Sequence, residues 1–380
     1  MIDWHMQANG QSQSVVEMIN ECERVFVGAN RNTTGLYAKI MNHLSGLRHD
    51  LGLYGLVKKN NYDFIQIRDK TFAALIGLIA AKRKGIPFYY WMSFPYPEAD
   101  IFRSRDKLIH INFLLRLFYA LRGYLTDWFL YSIVLPNSDF VFVQSDQMQR
   151  DVTERGISLN RTMPVPMCID VHGLENTSLP VISDERLADR IPIVYMGTMV
   201  KVRKIDFLLK MLAEIKKIIP EVILILVGDA PEDDMKWLKG IANNLGLESD
   251  VIFTGFVPME TAWGYVNKAS LCLSPFRPSF ILNSTTPTKV VEYLALGCPV
   301  VANKHPDQSK VLSESGAGLA VEYSPQAFSD AVQLILTDEK LANSMRKAGP
   351  LYVKNNRDYA IMSRLLEDKY LKMLETFSKK

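Results

Sequence analysis

Two kinds of apolar stretch alternate along the chain. Short runs without polar interruption, such as Val222–Val227, suit strands buried on both faces. Longer stretches with apolar residues at helical spacing lie between them. In the first half, residues 23–28 read as a short strand and residues 36–47 as a helix. A βαβ unit follows, with a strand at 63–68, a helix at Thr71–Lys84 and a strand at 85–91. Residues 139–145 are another buried strand, a helix starts at Asp146, and 162–170 reads as a last edge strand. The polar, proline-containing passage 171–190 has the character of an interdomain linker. The alternation then restarts with strand Ile191–Met196, helix 205–219, strand Val222–Val227 and helix 233–245. Strands at 251–254 and 269–274 flank a further helix, and the tail 355–380 carries a helical stripe from Tyr359 to Leu374. This order predicts an α/β chain of two Rossmann-like, doubly wound domains with strand carboxyl ends facing a central cleft. The domains are placed at residues 1–175 and 190–354, with the 355–380 helix packing back on the first.

One stretch, residues 276–303, holds the strongest local signal. Thr285-Thr286-Pro287-Thr288 offers capping hydroxyls and a proline suited to a first helical turn. Val290, Val291, Leu294, Ala295 and Leu296 continue at helical spacing, Gly297 suits the C-terminal cap, and Pro299 to Ala302 reads as a core strand. A helix N-terminus at the mouth of an α/β sheet is a ready anion site, because its first N–H groups lack partners. Lys289 adds charge beside those amides, and Glu292 follows nearly one turn later. The expectation is a helix that holds the diphosphate of a nucleotide donor.

Composition narrows the class. With 48% hydrophobic and 22% charged residues the chain is globular, and a net charge of +3 gives no basic field for nucleic acid. The four cysteines lie far apart and the six histidines share no ligand-like spacing, so no metal is expected. The start of the chain lacks a basic-then-apolar signal pattern, and no apolar run reaches membrane-span length. Residues 101–135 stand out instead. Arg103, Arg105, Lys107, Arg116 and Arg122 are interleaved with Phe113, Leu117, Phe118, Trp128 and other apolar residues. Such a segment can lie on an anionic membrane surface, or its apolar stripe can pack on the domain core with the arginines in water. A cytoplasmic chain, peripheral on the inner face of the plasma membrane, is the expected setting.

The ordered set of motifs across residues 190–340 resembles the retaining GT-B glycosyltransferases of family 4, the group 1 glycosyl transferases. The matching residues are Val194-Tyr195-Met196-Gly197, the loop ending at Arg203, Leu226-Val227-Gly228-Asp229, the Gly255-Phe256-Val257 turn, and Pro287 through Lys289, Glu292 and Gly297 to Ala302. The resemblance implies that Glu292 binds donor ribose hydroxyls and that Thr288 and Lys289 face the diphosphate. It implies that Gly255, Phe256 and Val257 line the nucleobase and that Gly197 and Thr198 belong to the donor loop. The chain departs from the pattern twice. Ser284 stands where the first glutamate of the paired motif would fall, and Thr198 where the leaving-group arginine would, leaving Arg203 in the lysine's place with Lys201 or Lys204 beside it. Arg203 and Lys289 are therefore the candidate catalytic charges. On the acceptor side, Ser93 and Glu98, read as part of a loop after the 85–91 strand, stand where the family has a histidine.

Two stretches compete for the glycine loop that opens the first domain. Asn9 to Ser12, before a helix-like 15–19, would imply a shortened first unit whose strand is missing; Gly28 to Gly35 would make residues 1–22 an extra piece. The resemblance thus points to transfer, with retention, from a UDP- or GDP-type sugar to a glycan or polyprenol-linked acceptor in surface polysaccharide synthesis. The nucleotide sugar is the substrate, and neither a cofactor nor a metal is expected. A catalytically impaired partner subunit and a sugar-nucleotide epimerase of the same architecture remain as alternatives.

Overall fold

The computed structural model describes residues 2–7, 13–29, 36–106 and 112–379. Its first half contains strands β1 (Ile2–Gln7), β2 (Val15–Asn20) and β3 (Glu23–Gly28), then helix α1 (Leu36–Lys59). Strand β4 (Ile65–Arg68), α2 (Thr71–Lys84) and β5 (Phe88–Met92) follow. Helices α3 (Tyr96–Arg105) and α4 (Phe113–Phe129) come next, the latter running on through a π-helical turn, Leu130–Val134, into α5 (Leu135–Asn137). The wide turn sits just before Pro136, whose missing N–H cannot continue an α-helical ladder. Strand β6 (Phe140–Val143), α6 (Asp146–Glu154) and β7 (Thr162–Pro164) complete this half.

β4, β5, β6 and β7 form one parallel sheet in that order, whereas β1, β3 and β2 form a separate three-stranded sheet, β1 parallel and β2 antiparallel to β3. The first half therefore holds a parallel sheet of the expected Rossmann-like kind and a second, small sheet built from its first three strands. The 15–19 segment is a strand rather than the helix its sequence suggested, and a strand does precede residue 8. Pairing with β3 overrides the weak local spacing there. Residues 8–12 and 30–35, the two glycine loops in competition, lie outside the described residues.

In the second half, α7 (Val171–Glu175) opens the linker passage, where Val171 and Leu187 are buried. The chain continues through β8 (Ile191–Met196), α8 (Asp206–Ile215), β9 (Val222–Val227), α9 (Glu232–Asn244), β10 (Val251–Phe253), α10 (Met259–Lys268) and β11 (Leu271–Ser274). It ends with α11 (Phe280–Asn283), α12 (Thr288–Ala295), β12 (Val300–Asn303), α13 (Pro306–Ser315), β13 (Gly318–Val321), α14 (Pro325–Thr337), α15 (Glu339–Asn356) and α16 (Tyr359–Ser378). The sheet order is β10-β9-β8-β11-β12-β13, parallel throughout. Apolar residues cover both faces: Ile193, Tyr195, Leu224 and Leu226 pack under α8 and α14, and Val194, Ile223, Ile225 and Cys272 under α12. Strand order reverses between β8 and β11, and that switch point opens the crevice where α/β sheets take ligands.

The chain crosses between the halves twice, side by side. Ile169 and Asp358 form a parallel bridge, Ile169 N–H donates to the Arg357 carbonyl, and Tyr359 N–H donates to the Ile169 carbonyl, both at 2.9 Å. Buried Arg357 pairs with buried Asp307 at 2.8 Å beside this crossing. Beyond it, α16 returns to the first half, where Met362, Leu366, Tyr370 and Met373 pack on Tyr89, Phe140, Phe142 and Val165. Tyr370 stacks on Phe64 and its hydroxyl donates to Gln66.

Candidate functional site

Three pieces of backbone converge at the switch point. The first is the end of β8. Met196 N–H donates to the buried Tyr293 hydroxyl at 2.8 Å, so a side chain of α12 fixes where β8 stops. Gly197 follows with φ 144°, and Gly228, at the end of β9, has φ 129°. A Cβ on Gly228 would lie 2.3 Å from the Gly197 carbonyl oxygen, so this approach excludes any side chain. The third piece is the start of α12. Its N-cap is Pro287, which offers no side-chain acceptor, so the first amides of the helix are left for a ligand or water.

Lys289 projects into this junction. Its Nζ is sealed from solvent without a hydrogen-bond partner among the described residues, 4.1 Å from the centre of the Tyr195 ring. A Cβ built on Gly197 would sit 3.1 Å from that nitrogen. Burial pushes the Lys289 amine down to about 7, the Arg203 charge pushes the same way, and Glu292 opposes both. Burial also raises the Glu292 carboxyl, against the pull of Lys289. A buried cation with no partner is costly and invites an anion. An anion seated here would meet Lys289, the free amides of α12 and the Gly197 turn together.

The other sequence candidates fall into place around this point. Arg203 is exposed at the end of a 3-10 turn, Lys201–Arg203, which Lys204 closes at φ 56°. Lys201 Nζ lies 3.8 Å from Asp234. Thr198 is exposed, and its carbonyl accepts from Tyr195 Oη at 3.2 Å. Gly255, with φ 69°, bridges to Gly228, which brings the 255–257 turn beside the same strand ends. Phe256 is 84% exposed there, while Val257 packs against the core. Thr288 and Glu292 occupy the first two turns of α12, both half-buried.

Ser284 is differently placed. It is buried, its hydroxyl donates to Asp151, and its carbonyl accepts from Ser145 Oγ at 2.7 Å. Its polar atoms are thus engaged across the two halves. Ser93 donates from its hydroxyl and its N–H to Asp69, the N–H bond being 2.7 Å. Glu98 is not in a loop: it lies in the first turn of α3, because Pro95 and Pro97 fit a helix start. Its carboxylate accepts from Tyr131 Oη at 2.8 Å and Arg155 at 3.1 Å, and burial raises it. Ser93 and Glu98 therefore already have intramolecular partners.

Sequence reasoning missed Tyr195 and Tyr293, which read as ordinary strand and helix residues, and it missed Asp151 and Ser145. Nothing local marks the last two, since Ser145 and Ser284 are 139 positions apart. Among the described residues no group of three or more His, Cys, Asp or Glu gathers, and no helix is long and apolar enough to cross a membrane.

Comparison with known proteins bears on the fold and on the second half of the chain. Residues 183–351 match the family described as glycosyl transferases group 1. The chain is 27% identical over 173 residues to a GDP-mannose-dependent alpha-(1-6)-phosphatidylinositol monomannoside mannosyltransferase of Mycolicibacterium smegmatis, which is 45% of each chain. It is 24% identical over 288 residues to the alpha-monoglucosyldiacylglycerol synthase of Streptococcus pneumoniae, covering 73% of this chain and 59% of that one. The matches thus span about half the length of these relatives. Among solved structures, sucrose-phosphate synthase from Thermosynechococcus elongatus superposes with a TM-score of 0.71 at 17% identity, covering 98% of this chain and 90% of the other. Anabaena HepE in complex with UDP-glucose gives 0.62 at 17% identity, covering 93% and 86%. The fold is the GT-B arrangement.

Proposed function

We propose that the protein is a retaining glycosyltransferase that moves a sugar from a UDP- or GDP-type nucleotide sugar to a lipid-held glycan acceptor in surface polysaccharide synthesis. The observation that carries this reading is Lys289: a sealed ammonium, without a hydrogen-bond partner among the described residues, beside uncapped helix amides at the switch point of the sheet. In this reading the donor diphosphate takes Lys289 and the first turn of α12. Glu292 accepts the ribose hydroxyls, the 255–257 turn borders the base, and Arg203 supports the leaving charge. As the bond to the anomeric carbon breaks, negative charge grows on the departing phosphate, and cations already in place stabilise it without reorganisation.

The acceptor class is supported by the two relatives whose names carry lipids. It is also supported by α4, which leaves Phe113, Leu114, Leu117, Phe118, Leu121, Leu125 and Trp128 exposed. In this reading α4 rests on the inner face of the cytoplasmic membrane. The second reading, an impaired partner subunit, draws on the exposed Thr198 and the engaged Ser284 at positions where charged residues were expected.

Titration calorimetry with UDP, GDP and ADP tests donor binding, and mass spectrometry of products formed with membrane extract identifies the transfer. Product formed without any lipid extract would point to an epimerase. Turnover persists in EDTA, because the charge on the leaving phosphate is met by Lys289 and Arg203. Replacing Glu292 by Ala abolishes turnover with the fold intact; a fully active variant would sink the assignment.

A further inference from the structure

Helix α12 starts without a cap of its own. Pro287 is its N-cap and contributes no side-chain bond, and Lys289 is spaced from it by a single residue. Yet the amides and the ammonium must stay within about 0.5 Å of where an anion would sit. What holds the helix start comes from the other half of the molecule. Thr286 Oγ1 donates to the Gln144 carbonyl at 2.9 Å. Ser284 donates to the Asp151 carboxylate and accepts on its carbonyl from Ser145 Oγ.

These bonds come from one place, the junction of β6 and α6. Gln144 leaves the strand, Ser145 caps α6 by accepting from Met148 N–H at 3.0 Å, and Asp151 lies on the second turn. Gln144, Ser145, Ser284 and Thr286 are all buried, and Asp151 is half-buried. An outer ion pair, Lys310 with Asp146 at 2.5 Å, borders it. On the second-half side the 276–286 loop is tied down by His305, whose ring bonds the Leu282 carbonyl at 2.7 Å, and by Asn303, which accepts from Phe276 N–H.

We propose that the β6–α6 junction is a positioning element for the anion site. When the halves are together, Gln144, Ser145 and Asp151 fix the start of α12, and when they part, that start loosens. Loosening this seam then costs donor affinity, because the amides and the ammonium no longer sit where the anion needs them. This inference rests on the nucleotide reading of the site, but the contact itself is independent of it. Gln144 and Asp151 are positioning residues: they act through Thr286 and Ser284, whose hydroxyls they hold, while Ser145 holds the Ser284 carbonyl.

The test uses the full chain with Thr286→Val, Thr286→Ser and Asp151→Ala. Spin labels on exposed sites of the two halves report the interdomain distance, and calorimetry reports UDP and GDP affinity. Thr286→Val and Asp151→Ala are expected to broaden the distance distribution without nucleotide and to weaken binding about tenfold. Saturating donor is expected to restore kcat, so the loss appears in KM. Thr286→Ser, which keeps the hydroxyl, behaves as the parent. Unchanged distances and affinities in both Thr286→Val and Asp151→Ala would overturn the inference, as would a loss that Thr286→Ser shares. A parent chain that binds neither nucleotide would instead overturn the nucleotide reading, while the distance response would still report the contact.

Discussion

Lys289 shows how one side chain can oppose stability and serve binding. Its ammonium has lost water and gained the faces of Tyr195 and Phe276 and the pull of Glu292, against a repulsive Arg203. The folded value near 7 lies below the ordinary lysine value of 10.5, so between those pH values the unfolded chain holds the proton and the folded chain does not. Its contribution to stability therefore rises with pH through that window. A bound diphosphate reverses the sign by holding the proton in place. Affinity for UDP or GDP should fall as pH rises above 7, by at most about tenfold per unit, and calorimetry across pH 6.5–9 reads it. Lys289→Met should remove this slope, weaken binding by about 10- to 100-fold, the range for a charged hydrogen bond, and raise the thermal midpoint. A variant that kept the affinity of the parent would remove Lys289 from the site.

At the scale of elements, α4 makes the sharpest case. It packs along α3, Gly123 is the buried residue of its length, and an apolar face remains outside. Its arginines are partly committed: Arg122 makes a two-bonded pair with Asp100, and Arg116 bonds the Ser104 and Asp106 carbonyls. Attraction to lipid would therefore rest on the apolar face. Leu117→Glu with Leu121→Glu should abolish co-sedimentation with anionic vesicles and leave the unfolding free energy within about 0.5 kcal/mol of the parent, because both side chains are exposed. Equal co-sedimentation of parent and variant would refute the membrane contact.

Elements also explain what could be read from the sequence. Val222–Val227 and Thr71–Lys84 were legible to the residue, since an uninterrupted apolar run and a helix closed by Gly85 at φ 67° carry their own boundaries. Residues 15–19 were not, because a strand exposed along its length has no inward face to set a period of two. Glu98 was misplaced because Pro95 and Pro97 mark a turn and a helix start equally well. The helix that carries Lys289 and Glu292 was legible through its apolar spacing and the proline before it, although no side chain caps it. The role of Ser284 was not, since its partners lie in another domain and no local rule predicts them.

For the whole molecule, the double crossing concentrates risk in one buried ion pair. Arg357 is 3% exposed and Asp307 8%, and Arg357 also reaches the Met167 carbonyl. Arg357→Met would leave Asp307 buried and unpaired, which costs about 3–5 kcal/mol. Urea unfolding should show that loss, and a midpoint within error of the parent would refute it. Asp307→Asn together with Arg357→Met should recover much of it, because no charge then remains uncompensated.

The return of α16 to the first half has a consequence in time. Tyr89, Phe140, Phe142 and Val165 are covered by a helix that emerges some 200 residues after Val165 itself. At roughly 5–20 residues per second, a ribosome needs about 10–40 s to deliver that cover. During this interval the nascent chain presents a sheet of bare aromatic rings, a natural client for a holding chaperone. Truncation before Tyr359 would make the interval permanent, so such a product should accumulate in inclusion bodies even though every strand of the first half has been translated.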